Sequence, residues 1–117
     1  ILENKGFKVR QMSQNFPYDL LVDDCVKIDV KTSRLYKGNL GDFYSFNLGK
    51  KFAACDVFLL IALNDDDTIN KIMVVPIKAV FNNNQISVGK TISKYNKFID
   101  KWDYISSLSE FWSGVVC

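Results

Sequence analysis

The chain contains no histidine. That absence removes the Ser-His-Asp and Cys-His routes to nucleophilic catalysis, and with them every zinc site that needs an imidazole. Any hydrolytic chemistry would therefore have to run on carboxylates, lysine and oxygen-ligated metal. Cysteine is scarce: Cys25, Cys55 and Cys117 are odd in number and far apart, with no C-x-x-C pair. A disulfide framework or a thiolate metal site is not expected, and a reducing, intracellular (cytoplasmic) setting is the natural reading. Proline occurs twice and glycine six times, too few for a linker or a low-complexity tract. No apolar run approaches the roughly 20 residues that span a bilayer, and no secretory signal opens the chain, so no membrane association is expected.

What is present suits one packed domain covering residues 1–117. Hydrophobic residues make up 48% and aromatics 14%, enough for a real core, while a net charge of +2 excludes a histone-like polycation. A nucleic-acid enzyme stays admissible, because such enzymes need a local basic groove and not a basic whole. The first residue is Ile1. Residues Ile1 to Lys5 read as the tail of a helix stopped by Gly6, so an excised domain with its N-terminal helix largely missing is expected.

Alternation of apolar and polar residues marks strands at Phe7–Gln11, Tyr18–Val22, Val26–Lys31, Phe43–Leu48, Lys71–Val75 and Gln85–Val88. The most apolar run, Asp56–Leu63, has the pattern of a central strand buried on both faces. Arg34–Gly41, polar and with two glycines, reads as a loop. Gly49–Cys55 reads as a loop or helical turn, and Ile77–Phe81 as a helical turn. Tyr95–Trp102 and Tyr104–Trp112 carry aromatics at helical spacing, which fits core packing or a subunit interface better than base stacking. The expected fold is α/β, a mixed central sheet flanked by helices.

The chemistry concentrates in Pro17-Tyr18-Asp19-Leu20-Leu21-Val22 and Val26-Lys27-Ile28-Asp29-Val30-Lys31-Thr32-Ser33. Side chains alternate faces along a strand, so Leu20, Val22, Ile28 and Val30 can share one face, and Asp19, Lys27, Asp29 and Lys31 the other. A three-residue connection, Asp23 to Cys25, pairs Val22 with Val26 and Leu20 with Ile28, which sets Asp19 against Asp29. A two-residue turn would mix polar and apolar residues on each face, so burial of one face selects the first register. Two facing carboxylates repel unless a positive charge lies between them. A hard divalent cation with oxygen ligands, Mg²⁺ or Mn²⁺, answers that need. Lys31, two residues past Asp29 on the same face, is placed to orient or activate a water. Two acids, a metal and an ammonium suffice for phosphodiester hydrolysis.

Pro17-Tyr18-Asp19, nine intervening residues and Asp29-Val30-Lys31 resemble the motif of the PD-(D/E)XK nucleases, the restriction-endonuclease-like superfamily. Its proline lies one residue earlier here than in the literal motif. Gly6-Phe7-Lys8-Val9, Val30-Lys31-Thr32-Ser33 and the strand Asp56–Leu63 resemble the flanks, and the likeness spans roughly Lys5 to Pro76. The resemblance implies that Asp19 and Asp29 bind the metal with the Val30 carbonyl, and that Lys31 assists the attacking water. The implied products carry a 5′-phosphate and a 3′-hydroxyl, with DNA as the expected partner. Many members also carry a glutamate on the preceding helix. Glu3 comes too late for that role, so its counterpart is expected upstream. Lys50 and Lys51, with Arg34 and Lys37 in the preceding loop, are candidate phosphate contacts, and Thr32 and Ser33 adjoin them. Cutting both strands of a duplex calls for two centres, which a homodimer would supply. Asp65-Asp66-Asp67 lacks the spaced ligands of a calcium loop and reads as a solvated turn. The competing reading is a catalytically silent nucleic-acid-binding or assembly module that keeps the nuclease fold.

Overall fold

A computed structural model of the protein describes residues 2–14, 18–39, 41–49, 55–80 and 83–113. Among them are seven strands, one α-helix and three short 3-10 turns, joined in one sheet system. The strands are β1 (Val9–Gln11), β2 (Leu20–Val22), β3 (Val26–Gly38), β4 (Gly41–Asn47), β5 (Val57–Leu63), β6 (Ile69–Pro76) and β7 (Gln85–Gly89); the helix α1 is Asp103–Ser113.

β3 is the spine of this system. Its first residues pair antiparallel with β2, its middle pairs parallel with β5, and its last four pair antiparallel with β4. β1 adds to β2, β6 to β5 and β7 to β4, each antiparallel. The sheet is mixed, as the sequence pattern requires, and β5 is its most buried member. Flanking helix is sparser than expected. Only α1 is a full helix among the described residues, and Lys94–Phe98 is a 3-10 turn after which Ile99 bridges to Met73.

Two hydrophobic clusters lie on opposite sides of the β3–β5–β6 layer. On one side Val22, Val26, Ile28, Val57, Leu59 and Val74 pack with Ile105 of α1 and with Leu2. On the other side Phe58, Leu60, Ala62, Met73 and Val75 meet Tyr44 and Phe46 of β4 and Ile86 and Val88 of β7. Tyr95 and Phe98 close that second cluster, so these aromatics serve the core, while Phe111 is exposed.

β3 extends through residues 34–38, where the sequence pattern suggested a loop. The reason is tertiary: Leu35 turns inward against the second cluster, and Lys37 and Gly38 are held by register with Asp42 and Gly41. Ser33 sits where β3 passes from β5 to β4. Its buried hydroxyl donates to the Arg34 carbonyl (2.8 Å) and accepts from the Ser45 amide (3.0 Å), which it satisfies in place of a ladder carbonyl. Replacing Ser33 by alanine should leave that amide without its partner and lower stability by about 1–3 kcal/mol in chemical denaturation. An unchanged unfolding midpoint would show that the hydroxyl bridge is incidental.

Candidate active site

The site begins with the β2–β3 hairpin. Leu20 pairs with Ile28, Leu21 with Lys27 and Val22 with Val26, the register that the alternating pattern predicts. The three-residue connection is shaped by Asp23 and Asp24, both at positive φ (52° and 59°), a conformation that Asp tolerates better than most residues. Asp23 anchors the turn from two directions: its carboxylate accepts from the Lys8 amide at 2.9 Å and from the Ser109 hydroxyl of α1 at 2.8 Å. On the far side, Asp56 fixes the start of β5. Its amide donates to the Lys27 carbonyl and its carboxylate accepts from the Lys27 amide.

Within this frame Asp19, Asp29 and Lys31 come together. The Asp19 amide donates to the Ile28 carbonyl at 3.0 Å, which continues the β2–β3 pairing one residue beyond the strand. One carboxylate oxygen of Asp19 accepts from the Val30 amide at 2.8 Å, so this side chain is held against β3. Asp29 lies within hydrogen-bonding reach of the Asp19 carboxyl. The Lys31 Nζ stands 3.4 Å from Asp29 Oδ2. The parallel register sets Asp29 beside Phe58 and Lys31 beside Leu60, which explains why Asp29 is mostly covered, with a side chain only 18% exposed.

Burial pushes the Asp29 carboxyl up to about 6 from its ordinary 3.8. The hydrogen bond to Asp19 and the negative charge of that residue act in the same direction, and the Lys31 ammonium opposes them. Asp29 thus tends to hold a proton where no cation intervenes. Such a site suits a hard cation: two facing carboxylates supply oxygen donors, and a positive ion between them relieves both the repulsion and the desolvation. Among the described residues no third acid joins them, since no group of three or more His, Cys, Asp or Glu side chains converges anywhere. Mg²⁺ keeps several waters and accepts such a sparse protein ligand set.

The other predicted contacts divide. Arg34 is exposed and bound to Asp67 of the β5–β6 turn, with Nε at 2.8 Å and Nη2 at 2.5 Å from one carboxylate oxygen. Strand alternation puts it on the opposite side of β3 from Asp29 and Lys31, while exposed Lys37 shares their parity. Ser33 is buried and consumed by strand bonding, and Thr32 is exposed on the Arg34 side. Lys50, Lys51 and Pro17 lie outside the described residues. The Asp65–Asp67 turn is a solvated hairpin, in which Asp66 accepts from the Thr68 amide and hydroxyl.

One neighbour carried no sequence signal. The buried Cys55 thiol meets the Asp29 backbone, and burial, reinforced by the Asp29 and Asp56 charges, pushes it up to about 12. This thiol is a neutral wall of the site and not a nucleophile. Cys25 is disulfide-bonded, which departs from the expectation of a wholly reduced chain. No helix among the described residues is long and apolar enough to cross a membrane.

A carboxyl raised on folding stabilises the fold while protonated, and that contribution is lost as pH rises through the folded value. Without divalent ions, Asp29→Asn should therefore raise the thermal midpoint relative to wild type at pH 8. The gain should shrink toward zero near pH 4, where the native carboxyl is itself protonated. A gain independent of pH would show that Asp29 titrates as an ordinary surface acid.

No family model matches the chain, and no curated protein matches it. Among solved structures it is similar to the bacterial homing endonuclease I-Ssp6803I, with a TM-score of 0.70 over 96% of this chain and 85% of that one, at 15% identity. At that identity the likeness is one of fold: the chain shares the architecture of that protein.

Proposed function

We propose that the chain is an endonuclease domain that hydrolyses DNA phosphodiester bonds with Mg²⁺ or Mn²⁺, in the manner of the PD-(D/E)XK nucleases. The observation that carries this reading is the Asp19 carboxylate braced on the Val30 amide at 2.8 Å, next to Asp29 on β3, with Lys31 at 3.4 Å from Asp29. The likeness of the fold to a homing endonuclease supports DNA as the substrate.

In this reading Asp19, Asp29 and the Val30 carbonyl would hold the cation. A divalent cation bound there supplies electrostatic polarisation of the phosphoryl oxygen. Lys31 offers an ammonium that orients the attacking water and balances charge on the phosphate as it builds. Its ion pair with Asp29 fixes where that ammonium points. Asp19, braced by the Val30 amide, resists collapse of the acid pair once it ionises. Cys55 and Phe58 exclude bulk water from one side of Asp29. Lys37, Lys50 and Lys51 are candidate contacts to flanking phosphates, and a homodimer would present two centres to the two strands.

A non-catalytic DNA-binding module on the same fold is separated by one assay. With Mg²⁺, the wild-type chain should nick supercoiled plasmid, and Asp19→Ala, Asp29→Ala and Lys31→Ala should each slow nicking by about 100-fold or more. Retention of duplex DNA by the wild type without nicking in Mg²⁺ or Mn²⁺ would favour the silent module. Equal nicking by wild type and Asp29→Ala would remove the proposed centre.

A further inference from the structure

β3, β4 and β7 turn Leu35, Tyr44, Phe46, Ile86 and Val88 into the core. Their alternate residues therefore face outward. Register arranges that outer face in rows: Tyr36 against Phe43 and Gly89, Ser45 against Ser87, and Asn47 against Gln85, with Arg34 two residues before Tyr36 on the same side. Arg34, Tyr36, Asn47, Gln85 and Ser87 are all exposed. Tyr36 is 56% exposed and stacks on Phe43 with ring centroids 5.7 Å apart, while the Gln85 carboxamide donates to the Ser45 hydroxyl.

The composition of this face is unlike that of a merely solvated one. The chain carries 13 acidic and 15 basic residues, and a solvated sheet face ordinarily collects both signs with long lysines and glutamates. Here the outward strand positions hold one arginine, two carboxamides, two serine hydroxyls and a phenol, with Phe43 and Gly89, and a bordering carboxylate, Asp67, is paired with Arg34. Those groups match the edges of base pairs: arginine with guanine, Asn and Gln with adenine, serine with either. Arg34 is held outward by Asp67, and exposed ion pairs of this kind are weak enough to exchange for a nucleic-acid partner. Three strands, about 10 Å across, carry the open rows Ser45–Ser87 and Asn47–Gln85 beside Arg34 and Tyr36, while the Ile92 carbonyl lies over Gly89 in the third row, so the open patch fits within the ~12 Å width of a B-DNA major groove.

We propose that this face reads base edges in the major groove of the duplex that the chain cuts. The inference rests on the nuclease reading above and adds a sequence-recognition surface to it. Arg34 and Tyr36 follow Lys31 on β3 by three and five residues, or about 10 and 17 Å along the strand. The bases contacted are reached from the side of β3 opposite the acid pair.

The test is selection from a library of randomised 24-base-pair duplexes, with Ca²⁺ in place of Mg²⁺ so that bound DNA survives. Wild type should enrich a sequence motif. The triple variant Arg34→Ala, Asn47→Ala, Gln85→Ala should still retain duplex but lose about tenfold discrimination per contact at neighbouring positions. Gln85→Ala alone should relax a subset of those positions. The same motif from wild type and triple variant would overturn the proposal and leave the nuclease reading intact. Failure of the wild type to retain any duplex, together with no nicking, would remove both. A shift from dimer to monomer in the triple variant, measured by sedimentation with motif preference unchanged, would assign the face to self-association and overturn base reading.

Discussion

Two carboxylates that repel one another are held in contact because the apolar side of the same strands must be buried. Val22, Val26 and Ile28 are fully covered in the cluster under α1, and Leu20 and Val30 pack at its edge. A slip of one residue between β2 and β3 would expose that set and bury its polar neighbours, so the register is fixed by the hydrophobic effect. Asp19 and Asp29 meet as a consequence. The packing that favours the fold thereby enforces a local arrangement that is electrostatically unfavourable until a cation or a proton enters it.

β3 transmits this constraint through the molecule. Its first third carries the hairpin that sets the acid pair. Its middle lies parallel to β5, whose Phe58 and Leu60 lower the polarity around Asp29 and Lys31. Its last third leaves that partner and opens a new antiparallel sheet with β4 and β7, joined through the Ser33 hydroxyl. Asp23 ties the hairpin turn to Lys8, just before β1, and to α1, and Asp56 ties the base of β5 to Lys27. Three polar side chains thus lock the ends of segments whose middles are held by apolar burial.

Much of this was legible in the residues alone, wherever the information was local. The two-residue period gave the strands around the acid pair, and burial of one face selected their pairing. Gly6, at φ 90° with its amide bonded to the Glu3 carbonyl, caps the first turn as its position implies. What failed depended on distant partners. Residues 34–38 look like a loop because they are polar and run into glycine, yet pairing of Arg34 with β5 and of residues 35–38 with β4 makes them a strand. Tyr95, Phe98 and Trp102 have helical spacing, but a 3-10 turn also brings residues 95 and 98 to one side, and the bridge from Ile99 to Met73 ends it. The pairing of Arg34 with Asp67 spans 33 residues, and Cys55 reaches Asp29 from beyond the whole of β4. No propensity or pattern in a single sequence encodes either contact.

The claim on which the functional account depends is that the acid pair grips a divalent ion. A crystal soaked in Mn²⁺, measured at the manganese absorption edge, tests it most directly. The account predicts an anomalous peak about 2.2 Å from a carboxylate oxygen of both Asp19 and Asp29 and close to the Val30 carbonyl. A Mn²⁺ peak confined to the Asp65–Asp67 turn, or none between the two strands, would contradict it.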